Sequence, residues 1–410
     1  MRLLYLAHRV PDRPTKGDKI RAFHQLRALA ARHEVHLFAL SDEADIDPAP
    51  AWADEVASAT VVPLGRWGAR WRTGRALLAG GALTAAHFAA PELRARLAAA
   101  ARDRPFDAAV VYSGAVDPLL EGRRPRVLDL VDVDSEKFRL YAERGTVTGP
   151  RRIACRIEAR RLAALERHAV ADADLTLVCT EDEAASLRAI AQPRRLEVVR
   201  NGVDLAAFPF GPAVARAPAE LLFVGALDYQ ANVDAASALV LDLLPRVQAR
   251  CPQAKAVLVG RAPTAAVRAL AERPGVELAA DVESVVPFLQ RATLAVLPFR
   301  IARGIQNKAL EALAAGLPLV ATTESAKGLD GVAGRDFVVA DGFAALAQAV
   351  VELLQSPAKR AALADAGRRL VERSAGWDAI LARFVALVEE VAARGPAAAG
   401  IEATPVGSGR

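Results

Sequence analysis

Asn307, Lys308 and Glu311 place an amide, an ammonium and a carboxylate in a segment that otherwise has the pattern of a buried helix. Residues 302–322 read ARGIQNKALEALAAGLPLVAT, and Gly304 is expected to open the helix. At about 100° per residue, these four residues fall on one stripe, while alanine and leucine side chains occupy much of the opposite side. One face is therefore expected to pack and the other to present polar groups.

The beginning of this helix suits a phosphate group. A helix N-terminus offers unpaired N–H groups and a partial positive charge, and Arg303 and Lys308 add two cations. Glu311, one turn further on, is placed to accept two hydrogen bonds from the vicinal diol of a ribose. The segment therefore indicates a nucleoside diphosphate site. The pattern leaves open an ordinary surface helix with an exposed Lys308–Glu311 pair, worth about 0.2–0.5 kcal/mol.

Length and composition restrict the class of protein. A chain of 410 residues is too long for one hydrophobic core and predicts two domains. With 53% hydrophobic and 25% charged residues it is typical of soluble globular proteins, and its longest uncharged run, 76–90, is too short and too polar to span a bilayer. No signal peptide follows Met1, so we expect a cytoplasmic protein.

Cysteine use, charge and missing motifs restrict the partners. The three cysteines are far apart and have no CxxC spacing, so neither a zinc site nor a disulfide framework is indicated. A formal net charge of +5 fits a phosphorylated substrate and an acidic membrane surface equally well. Neither a G-x-G-x-x-G after a first strand nor a GxxxxGK[ST] loop is present. The missing motifs predict no dinucleotide cofactor, and the cysteines predict no zinc site. No nucleic acid partner is expected either.

Short apolar runs alternate with helical patterns along the chain, which predicts an α/β protein with doubly wound, mostly parallel sheets. The predicted strands are residues 2–7, 35–40, 59–64, 108–112, 127–131, 175–179, 196–199, 221–224, 256–259, 276–278, 293–297, 317–321 and 337–339. We assign 1–208 to a first Rossmann-like domain, 209–219 to a linker, and 220–375 to a second Rossmann-like domain. A last helix, 376–394, is expected to pack back on the first domain, and 395–410 to be disordered.

Ligands of doubly wound sheets bind beyond the carboxyl ends of the strands, and two such sheets facing each other make an interdomain cleft. In the first half, Gly17 and Arg21 lie at a helix start with Lys16 beside them. A second anion site and a solvated basic helix after a glycine turn are both compatible with these residues. Asp132 follows strand 127–131 and is expected to bind acceptor hydroxyls or to act as a base.

Turns and helix caps account for other polar residues of the first half. Asp134 or Ser135 is expected to cap the next helix. The segment Thr180-Glu-Asp-Glu183 has the pattern of a capping box, which we interpret as structural only. Asn201, in an Asn-Gly pair after a strand, indicates a tight turn before the linker.

The loops of the second half are also expected to face the cleft. Gly225 ends the first strand there, and Tyr229 and Asn232 lie on the way to the next helix. Arg261 ends the following strand, where it can reach a phosphate or stay in solvent, and Val282 lies at the end of the third strand.

Several blocks resemble the retaining nucleotide-sugar glycosyltransferases of family 4, which have the GT-B fold. These blocks are VVRNGVDLAAF (198–208), LLFVGALDYQANVD (221–234), AVLVGR (256–261), VELAADVESVVPFLQRATLAVLPF (276–299) and the G-x-x-x-K-x-x-E-A-L-A-A-G-x-P block from Gly304. A finer resemblance is to the sugar transferases associated with the PEP-CTERM/exosortase A system. It rests on KGDKIRAFHQL (16–26), VDVDSEKF (131–138), DYQANVDA (228–235) and RGIQNKALEAL (303–313).

The chain departs from the family pattern at its charged positions. Arg303 replaces the first glutamate of the usual E-x7-E pair, which leaves Glu311, and the strand end where many relatives carry His-Asp ends in Asp132. The arginine and lysine that commonly hold the diphosphate are Ala226 and Ala231. Neutralisation of the phosphates is then expected from Arg303, Lys308 and the helix N-terminus.

The resemblance implies a metal-independent transfer of a sugar, with retention of configuration, from a UDP or GDP sugar to a glycan or lipid-linked acceptor in exopolysaccharide or cell-surface glycan synthesis. In such a reaction the leaving diphosphate is stabilised electrostatically and the acceptor hydroxyl attacks on the same face. The implied catalytic residues are Asp132, Arg303, Lys308 and Glu311. The implied substrate contacts are Gly17, Arg21, Asn201, Gly225, Tyr229, Asn232, Arg261, Val282, Gly304, Ile305, Gln306 and Asn307.

Two alternatives stay open. The missing histidine and glutamate also fit a catalytically inactive sugar-nucleotide-binding partner of a polysaccharide assembly complex. In residues 65–90, four arginines alternate with two tryptophans ahead of a weakly polar stretch: Arg66, Arg70, Arg72, Arg75, Trp67 and Trp71. This segment fits peripheral docking on the inner membrane as well as a helical excursion with buried tryptophans.

Overall fold

Two parallel β-sheets organise the chain. A computed structural model describes residues 1–11, 17–41, 50–120, 125–143, 147–210 and 216–395 of the 410. The strands of the first sheet are β1 (Arg2–Ala7), β2 (Glu34–Ser41), β3 (Ser58–Pro63), β4 (Ala108–Tyr112), β5 (Arg126–Val131), β6 (Leu175–Val178) and β7 (Leu196–Val198). They are hydrogen-bonded in the order β3-β2-β1-β4-β5-β6-β7, and every neighbouring pair is parallel.

Helices cover this first sheet. They are α1 (Gly17–Ala30), α2 (Arg66–Ala79), α3 (Leu83–Phe88), α4 (Pro91–Asp103), α5 (Asp134–Glu143), α6 (Pro150–Asp172) and α7 (Glu181–Arg188), with a 3₁₀ turn at Asp117–Leu119. All residues of β1 and of β4 are buried. A parallel sheet covered on both faces requires such continuous apolar strands, which explains the uninterrupted hydrophobic runs in the sequence.

The second sheet repeats this winding. Its strands are β8 (Glu220–Val224), β9 (Lys255–Gly260), β10 (Val276–Ala280), β11 (Leu294–Leu297), β12 (Leu319–Ala321) and β13 (Val338–Val339). They are parallel, in the order β10-β9-β8-β11-β12-β13. The helices are α8 (Gln230–Ser237), α9 (Leu244–Gln248), α10 (Ala265–Leu270), α11 (Val286–Arg291), α12 (Asn307–Ala314), α13 (Thr323–Ala326), α14 (Phe343–Gln355), α15 (Pro357–Ser374) and α16 (Trp377–Arg394), with a π-helical segment at Ala238–Leu243.

Both sheets have a topological switch point. The first sheet is wound in opposite directions on the two sides of β1, which lies between β2 and β4, and the second on the two sides of β8, which lies between β9 and β11. In open α/β sheets, ligands bind at this point, outside the carboxyl ends of the strands. The predicted architecture of two doubly wound parallel sheets is thus confirmed, and it fixes the two edges at which ligands can be held.

Left-handed backbone angles gather at these carboxyl edges. Ser113 (φ 85°) follows β4, Val131 (φ 64°) ends β5, Ala262 (φ 50°) lies beyond β9, and Asp281 (φ 53°) follows β10. A side chain with a Cβ costs of order 1–3 kcal/mol in this region, and such strain clusters at functional sites. The strained residues therefore indicate function at the carboxyl ends of both sheets.

The last helix returns to the first sheet. α16 contributes Phe384 and Val388 to the core that packs against β1 and β2. Ahead of it, Val203 N donates to Ala375 O at 2.8 Å, and Gly202 lies so close to the next turn that a Cβ there would come 2.6 Å from the Trp377 ring. The chain therefore crosses from one domain to the other twice, and these two passages are hydrogen-bonded to each other. Part of the predicted linker, residues 211–215, lies outside the described residues.

The helix predicted after Gly304 starts later than expected. Gly304 has φ +60°, Gln306 takes the N-cap position, and α12 begins at Asn307. A left-handed residue cannot belong to a right-handed helix, so the glycine forms a loop that aims the helix instead of being its first residue.

Candidate active site

The carboxyl edges of the two sheets meet between β5 and the loop before α12. Gly304 packs so closely on Asp132 that a Cβ there would collide with Asp132 Oδ1 and come 3.0 Å from Cys179 Sγ. At the start of α8, Tyr229 meets Tyr141 of α5, with 3.0 Å between the hydroxyl oxygens. The strand end of the first domain and the loops of the second domain therefore meet at one interdomain interface.

Lys308 is a cation without an acidic partner. Its Nζ donates to Asn232 Oδ1 at 2.8 Å and lies 4.7 Å from the centre of the Phe299 ring. No carboxylate in the described ranges lies within ion-pair distance of it. Burial lowers the pKa of Lys308 to about 8, and the charge of Glu311 opposes this shift. A desolvated ammonium that lacks a counter-ion is stabilised most by an anionic ligand.

Glu311 lies one turn further along α12, half-buried on the same face as Lys308. Burial raises the pKa of Glu311, and Lys308 opposes the shift. No donor among the described residues forms a hydrogen bond to its carboxylate. Because buried carboxylate oxygens normally have hydrogen-bond partners, both oxygens are available to hydroxyl groups of a ligand. The polar stripe predicted from the sequence is present, with Ala309 and Leu313 buried behind it.

Asn232 holds the Lys308 side chain in place. It is buried, donates from Nδ2 to Ala226 O at 2.7 Å, and accepts the bond from Lys308. A Cβ on Gly225 would come 3.0 Å from the Asn232 amide, so a glycine at the end of β8 leaves the room that this amide needs. Both residues, predicted as ligand contacts, are thus at the site, and Asn232 acts through Lys308.

Arg261 brings a second cation to the end of β9. Burial lowers the pKa of Arg261, and the charge of Arg9 from the first domain lowers it further, while Asp281 opposes both. The Arg261 Nε is buried and has no hydrogen-bond partner within the described part of the chain. A guanidinium group that is desolvated and repelled by another cation suits an anionic ligand. Val282, next to Asp281, is half-buried against the core of the second domain.

Asp132 is the half-buried carboxylate at the end of β5. Burial raises its pKa, while a hydrogen bond from Cys179 Sγ at 3.2 Å and the charge of Lys137 oppose the shift. A carboxyl group with a raised pKa can exchange a proton nearer to neutral pH than a solvated one. Its position beside Gly304 is compatible with the predicted contact to an acceptor hydroxyl.

Glu183 is the residue of this site that the sequence interpretation missed. Thr180 Oγ1 accepts from Glu183 N at 3.1 Å, as a capping box predicts. The Glu183 carboxylate, however, crosses to the second domain, where it accepts from Arg303 Nη2 at 2.5 Å and from Gly304 N at 3.1 Å. It also accepts from Val133 N at 2.7 Å, and burial raises its pKa to about 7. The capping motif concealed this role because its glutamate normally turns back on its own helix.

Arg303, predicted as a phosphate contact, is the partner of Glu183 in this interface. Its side chain is held in the domain interface by Glu183 and by Ser186 Oγ, to which Nη2 donates at 3.2 Å. A guanidinium group already paired with a buried carboxylate cannot also neutralise a diphosphate without losing that pair. The catalytic role of Arg303 stays a prediction, and Lys308 is the cation of α12 that has no carboxylate partner among the described residues.

Arg21 and Asn201 are internal as well. Arg21 is only 1% exposed, and it donates from Nε to Asp129 Oδ2 at 2.8 Å and from Nη1 to Asn201 Oδ1 at 3.0 Å. Asn201 Nδ2 in turn donates to Asn307 Oδ1 at 3.0 Å. Both side chains thus belong to a polar chain that connects β5 with α12, and their predicted ligand contacts stay predictions.

The residues just before α12 are also used within the protein. The Gly304 N–H is already paired with Glu183, Ile305 is buried in the core of the second domain, and Gln306 Nε2 donates to Arg303 O at 3.0 Å. The ligand contacts predicted for Gly304 and Ile305 stay predictions. Gln306 stays a prediction, and so does Asn307, whose buried Nδ2 has no partner among the described residues.

Two predictions on the first-domain helices have different outcomes. Gly17 is the first residue of α1, as expected, and Lys16 lies outside the described residues. The cap of α5 comes from neither Asp134 nor Ser135. Ser135 N donates to Glu166 Oε1 at 3.1 Å, so a buried carboxylate of α6 caps α5 from outside the local sequence. In the described residues, no group of three or more His, Cys, Asp or Glu side chains is arranged to hold a metal ion.

Comparison with known proteins finds similarity to one family model in the second half of the chain. Residues 218–356 match the family model described as Glycosyl transferases group 1. The glycogen synthase of Mycobacterium tuberculosis (strain CDC 1551 / Oshkosh) is 31% identical over 234 residues, which are 54% of this chain and 55% of that protein. The chain thus spans 55% of the length of this curated relative.

Two solved structures share the fold over nearly the whole chain. Sucrose-phosphate synthase (tll1590) from Thermosynechococcus elongatus has a TM-score of 0.72 at 17% identity, with 96% of this chain and 100% of that one covered. Anabaena Alr3699/HepE, solved in complex with UDP-glucose, has a TM-score of 0.65 at 15% identity, with 95% and 100% covered. These likenesses confirm the predicted GT-B fold.

Proposed function

We propose that this chain, whose residues 218–356 match the family model of the glycosyl transferases group 1, transfers a sugar from a nucleoside diphosphate sugar to a glycan or lipid-linked acceptor. One observation carries the proposal. Lys308 and Glu311 lie on one face of α12, both desolvated and neither engaged in an ion pair among the described residues. A cation and a carboxylate one turn apart match the diphosphate and the ribose diol of one ligand.

The residues of the second domain act on the leaving group. The Lys308 ammonium and the free N–H groups at the start of α12 stabilise the charge that develops on the diphosphate as the glycosidic bond breaks. Arg261 adds a guanidinium at the end of β9. Because these groups are held in place before the reaction, by Asn232 in the case of Lys308, they need little reorganisation in the transition state.

The first domain supplies the acceptor side of the proposed reaction. Asp132 lies across the cleft from α12 and binds the acceptor hydroxyl in this proposal. The hydroxyl attacks from the side on which the diphosphate leaves, and a phosphate oxygen takes its proton, so the configuration is retained. No metal ion is required for these steps, and the product belongs to an exopolysaccharide or another cell-surface glycan.

The named relatives support the class of donor. Alr3699/HepE has been solved with UDP-glucose, and glycogen synthase and sucrose-phosphate synthase are the curated and structural relatives reported above. We therefore propose a UDP or GDP sugar. A thermal-shift screen of UDP, GDP, ADP and CMP sugars tests this, because a ligand that binds only the folded state raises the melting temperature. A protein whose melting temperature responds to none of them would contradict the proposed donor class.

An inactive sugar-nucleotide-binding partner is the second candidate. Its supporting observation is that Arg303, which replaces the first family glutamate, forms an ion pair with Glu183. Hydrolysis of the donor sugar in the absence of acceptor separates the two candidates. Slow release of free sugar supports the transferase, whereas binding without any release supports the inactive partner.

The ribose contact gives a specific prediction. Glu311→Gln is expected to weaken UDP binding about tenfold and to leave binding of 2′,3′-dideoxy-UDP unchanged, because only the ribose diol donates to this carboxylate. Isothermal titration calorimetry with the two ligands measures the difference. The matched control is Glu352→Gln on an exposed face of α14, which is expected to bind both ligands as the parent protein does. Equal losses for both ligands would assign Glu311 a structural role.

The pKa of Lys308 predicts a pH dependence. The lysine is fully protonated well below its pKa of about 8, and the protonated form is the one that attracts the diphosphate. The UDP dissociation constant is therefore expected to rise above pH 8, by up to about tenfold per pH unit. Lys308→Arg is the control, since arginine stays charged and should give a flat profile. A parent protein with a flat profile from pH 7 to about 9.5 would contradict a role for this ammonium.

A further inference from the structure

We infer that α2 and the first turns of α6 form a surface that docks on an anionic lipid bilayer. Nine large hydrophobic side chains are exposed among the described residues, and four of them lie on these two helices. They are Trp71 (64% exposed), Leu78 (90%), Ile153 (60%) and Ile157 (42%). Single exposed hydrophobic residues are ordinary, but a group of four on neighbouring helices indicates a binding surface.

The two helices are joined near the end of α2, and we infer from this contact that these side chains share one face. Arg161 of α6 donates from Nη1 to Gly81 O, just beyond the end of α2, at 3.1 Å. Ile153, Ile157 and Arg161 follow each other at four-residue spacing and therefore lie on one side of α6. Leu78 lies in the last turn of α2, beside the same Arg161 contact. We call the face formed by Trp71, Leu78, Ile153 and Ile157 the docking face.

The start of α3 is fixed to α6 as well. The buried Glu158 carboxylate accepts from Leu83 N at 3.0 Å and from Thr84 N at 2.9 Å. The helical excursion of α2 and α3 is thus held on α6 by a carboxylate at one point and by an arginine at another. A surface held in this way presents its side chains in a fixed arrangement.

The exposed charges on the two segments that carry the docking face are positive. Residues 65–90 contain no aspartate or glutamate, and the only acidic residue in 150–165 is the buried Glu158. Arg75, Arg156 and Arg160 are exposed. The Arg75 guanidinium lies 4.8 Å from the centre of the Trp71 ring. Exposed arginines without acidic neighbours on their own segments complement the anionic headgroups of a bilayer.

The mixture of side chains favours a bilayer over a protein or a nucleic acid. Tryptophan and arginine prefer the interface, where the ring lies at the headgroup level and the charge meets lipid phosphate. Leu78 and the two isoleucines can enter the acyl boundary from helices that lie on the surface. None of the described helices combines the length and the apolar character needed to cross a bilayer, so this docking is peripheral.

The residues that form the docking face differ from those that the sequence predicted for membrane binding. The side chains of Arg66, Trp67 and Arg70 lie outside the description. Arg72 donates from Nε to Ala86 O at 3.3 Å and from Nη2 to the next carbonyl, so it holds α2 against α3. The isoleucines and arginines of α6, which the sequence prediction did not include, take the place of these residues.

This inference is independent of the transfer reaction, because a surface can bind lipid whatever the cleft does. Flotation with vesicles of phosphatidylcholine and phosphatidylglycerol, against phosphatidylcholine alone, tests it. We expect binding to the anionic vesicles only, and binding that weakens as salt is added. Each of Arg75→Gln, Arg156→Gln and Arg160→Gln is expected to lower the partition coefficient about fivefold. A protein that does not float with anionic vesicles at low salt, or that binds both vesicle types equally, overturns the inference.

A matched pair of variants tests the apolar side chains. Leu78→Ser combined with Ile157→Ser is expected to abolish flotation, whereas Leu241→Ser, at a side chain 42% exposed in the second domain, leaves it unchanged. In a Trp67→Phe background, Trp71 also provides a spectroscopic signal, because the two other tryptophans, Trp52 and Trp377, are buried. Anionic vesicles are expected to shift the tryptophan emission to the blue, and Trp71→Phe to remove most of this shift. Flotation that survives the double variant overturns the inference.

Calorimetry with UDP separates this inference from the proposed function. The docking-face variants are expected to bind UDP like the parent protein. A protein that floats with anionic vesicles but binds no nucleotide would contradict the transferase proposal and leave the docking face intact. A protein that binds nucleotide but no vesicle would do the opposite.

Discussion

Lys308→Met is expected to weaken UDP binding by ten- to a hundredfold while uridine binding stays the same. Methionine keeps the length and the apolar packing over Phe299 and removes only the charge that is proposed to meet the diphosphate. A charge-assisted hydrogen bond to a phosphate is worth about 1.5–3 kcal/mol, which gives this range. Isothermal titration calorimetry with UDP and uridine provides the measurement.

The fold is expected to tolerate this substitution. Because burial lowers the pKa of Lys308, the folded protein carries this charge at a cost near neutral pH, and its removal should not lower the melting temperature. Lys359→Met, at an exposed lysine of α15, is the matched control and is expected to leave both affinities unchanged. An unchanged UDP affinity in Lys308→Met would show that the diphosphate lies elsewhere.

Glu183→Ala is expected to destabilise the protein by about 3–5 kcal/mol, the cost of removing one partner of a buried ion pair. The substitution leaves the Arg303 guanidinium without its carboxylate in the domain interface, and the N–H groups of Val133 and Gly304 lose their acceptor. Urea denaturation, followed by tryptophan fluorescence, measures the loss. It should appear as a lower midpoint concentration of urea.

A double variant separates the ion pair from the rest of the interface. In Glu183→Gln/Arg303→Gln no unpaired charge is left, and the new amide can still accept from Gly304 N, so most of the stability should return. Arg27→Gln/Glu55→Gln removes an exposed ion pair of the first domain and serves as the control, with an expected change of at most about 1 kcal/mol. If the double variant is as unstable as Glu183→Ala, the ion pair does not explain the loss.

The strands could be predicted from the sequence because the physical rule behind them is local. A parallel strand that is buried on both faces must be a continuous apolar run, and residues 2–7 and 108–112 coincide with β1 and β4. The polar stripe of α12 was also legible, since the positions of Asn307, Lys308 and Glu311 follow from the helical repeat. The start of the helix could not be predicted, because the left-handed angle of Gly304 depends on its packing against Asp132.

The partners of the charged residues could not be predicted, because they come from distant parts of the chain. Arg303 meets Glu183, 120 positions away, and Arg21 meets Asp129, 108 positions away. In the sequence alone, a buried arginine in an ion pair and an arginine facing a phosphate have the same appearance. The structure distinguishes the two cases by showing which cations have a carboxylate partner. Arg21 and Arg303 are paired inside the protein, whereas Lys308 is left without a carboxylate among the described residues.

The double passage between the domains has a mechanical consequence. The two passages lie side by side, held by the backbone hydrogen bond between Val203 and Ala375 and by the contact of Gly202 with Trp377. They therefore form one joint instead of two separate connections. We expect this joint to favour rotation of the domains about one axis over sliding, since sliding would pull the paired passages apart. The cleft would then open widest at the edge farthest from the joint, and we expect substrates to enter and products to leave along that edge.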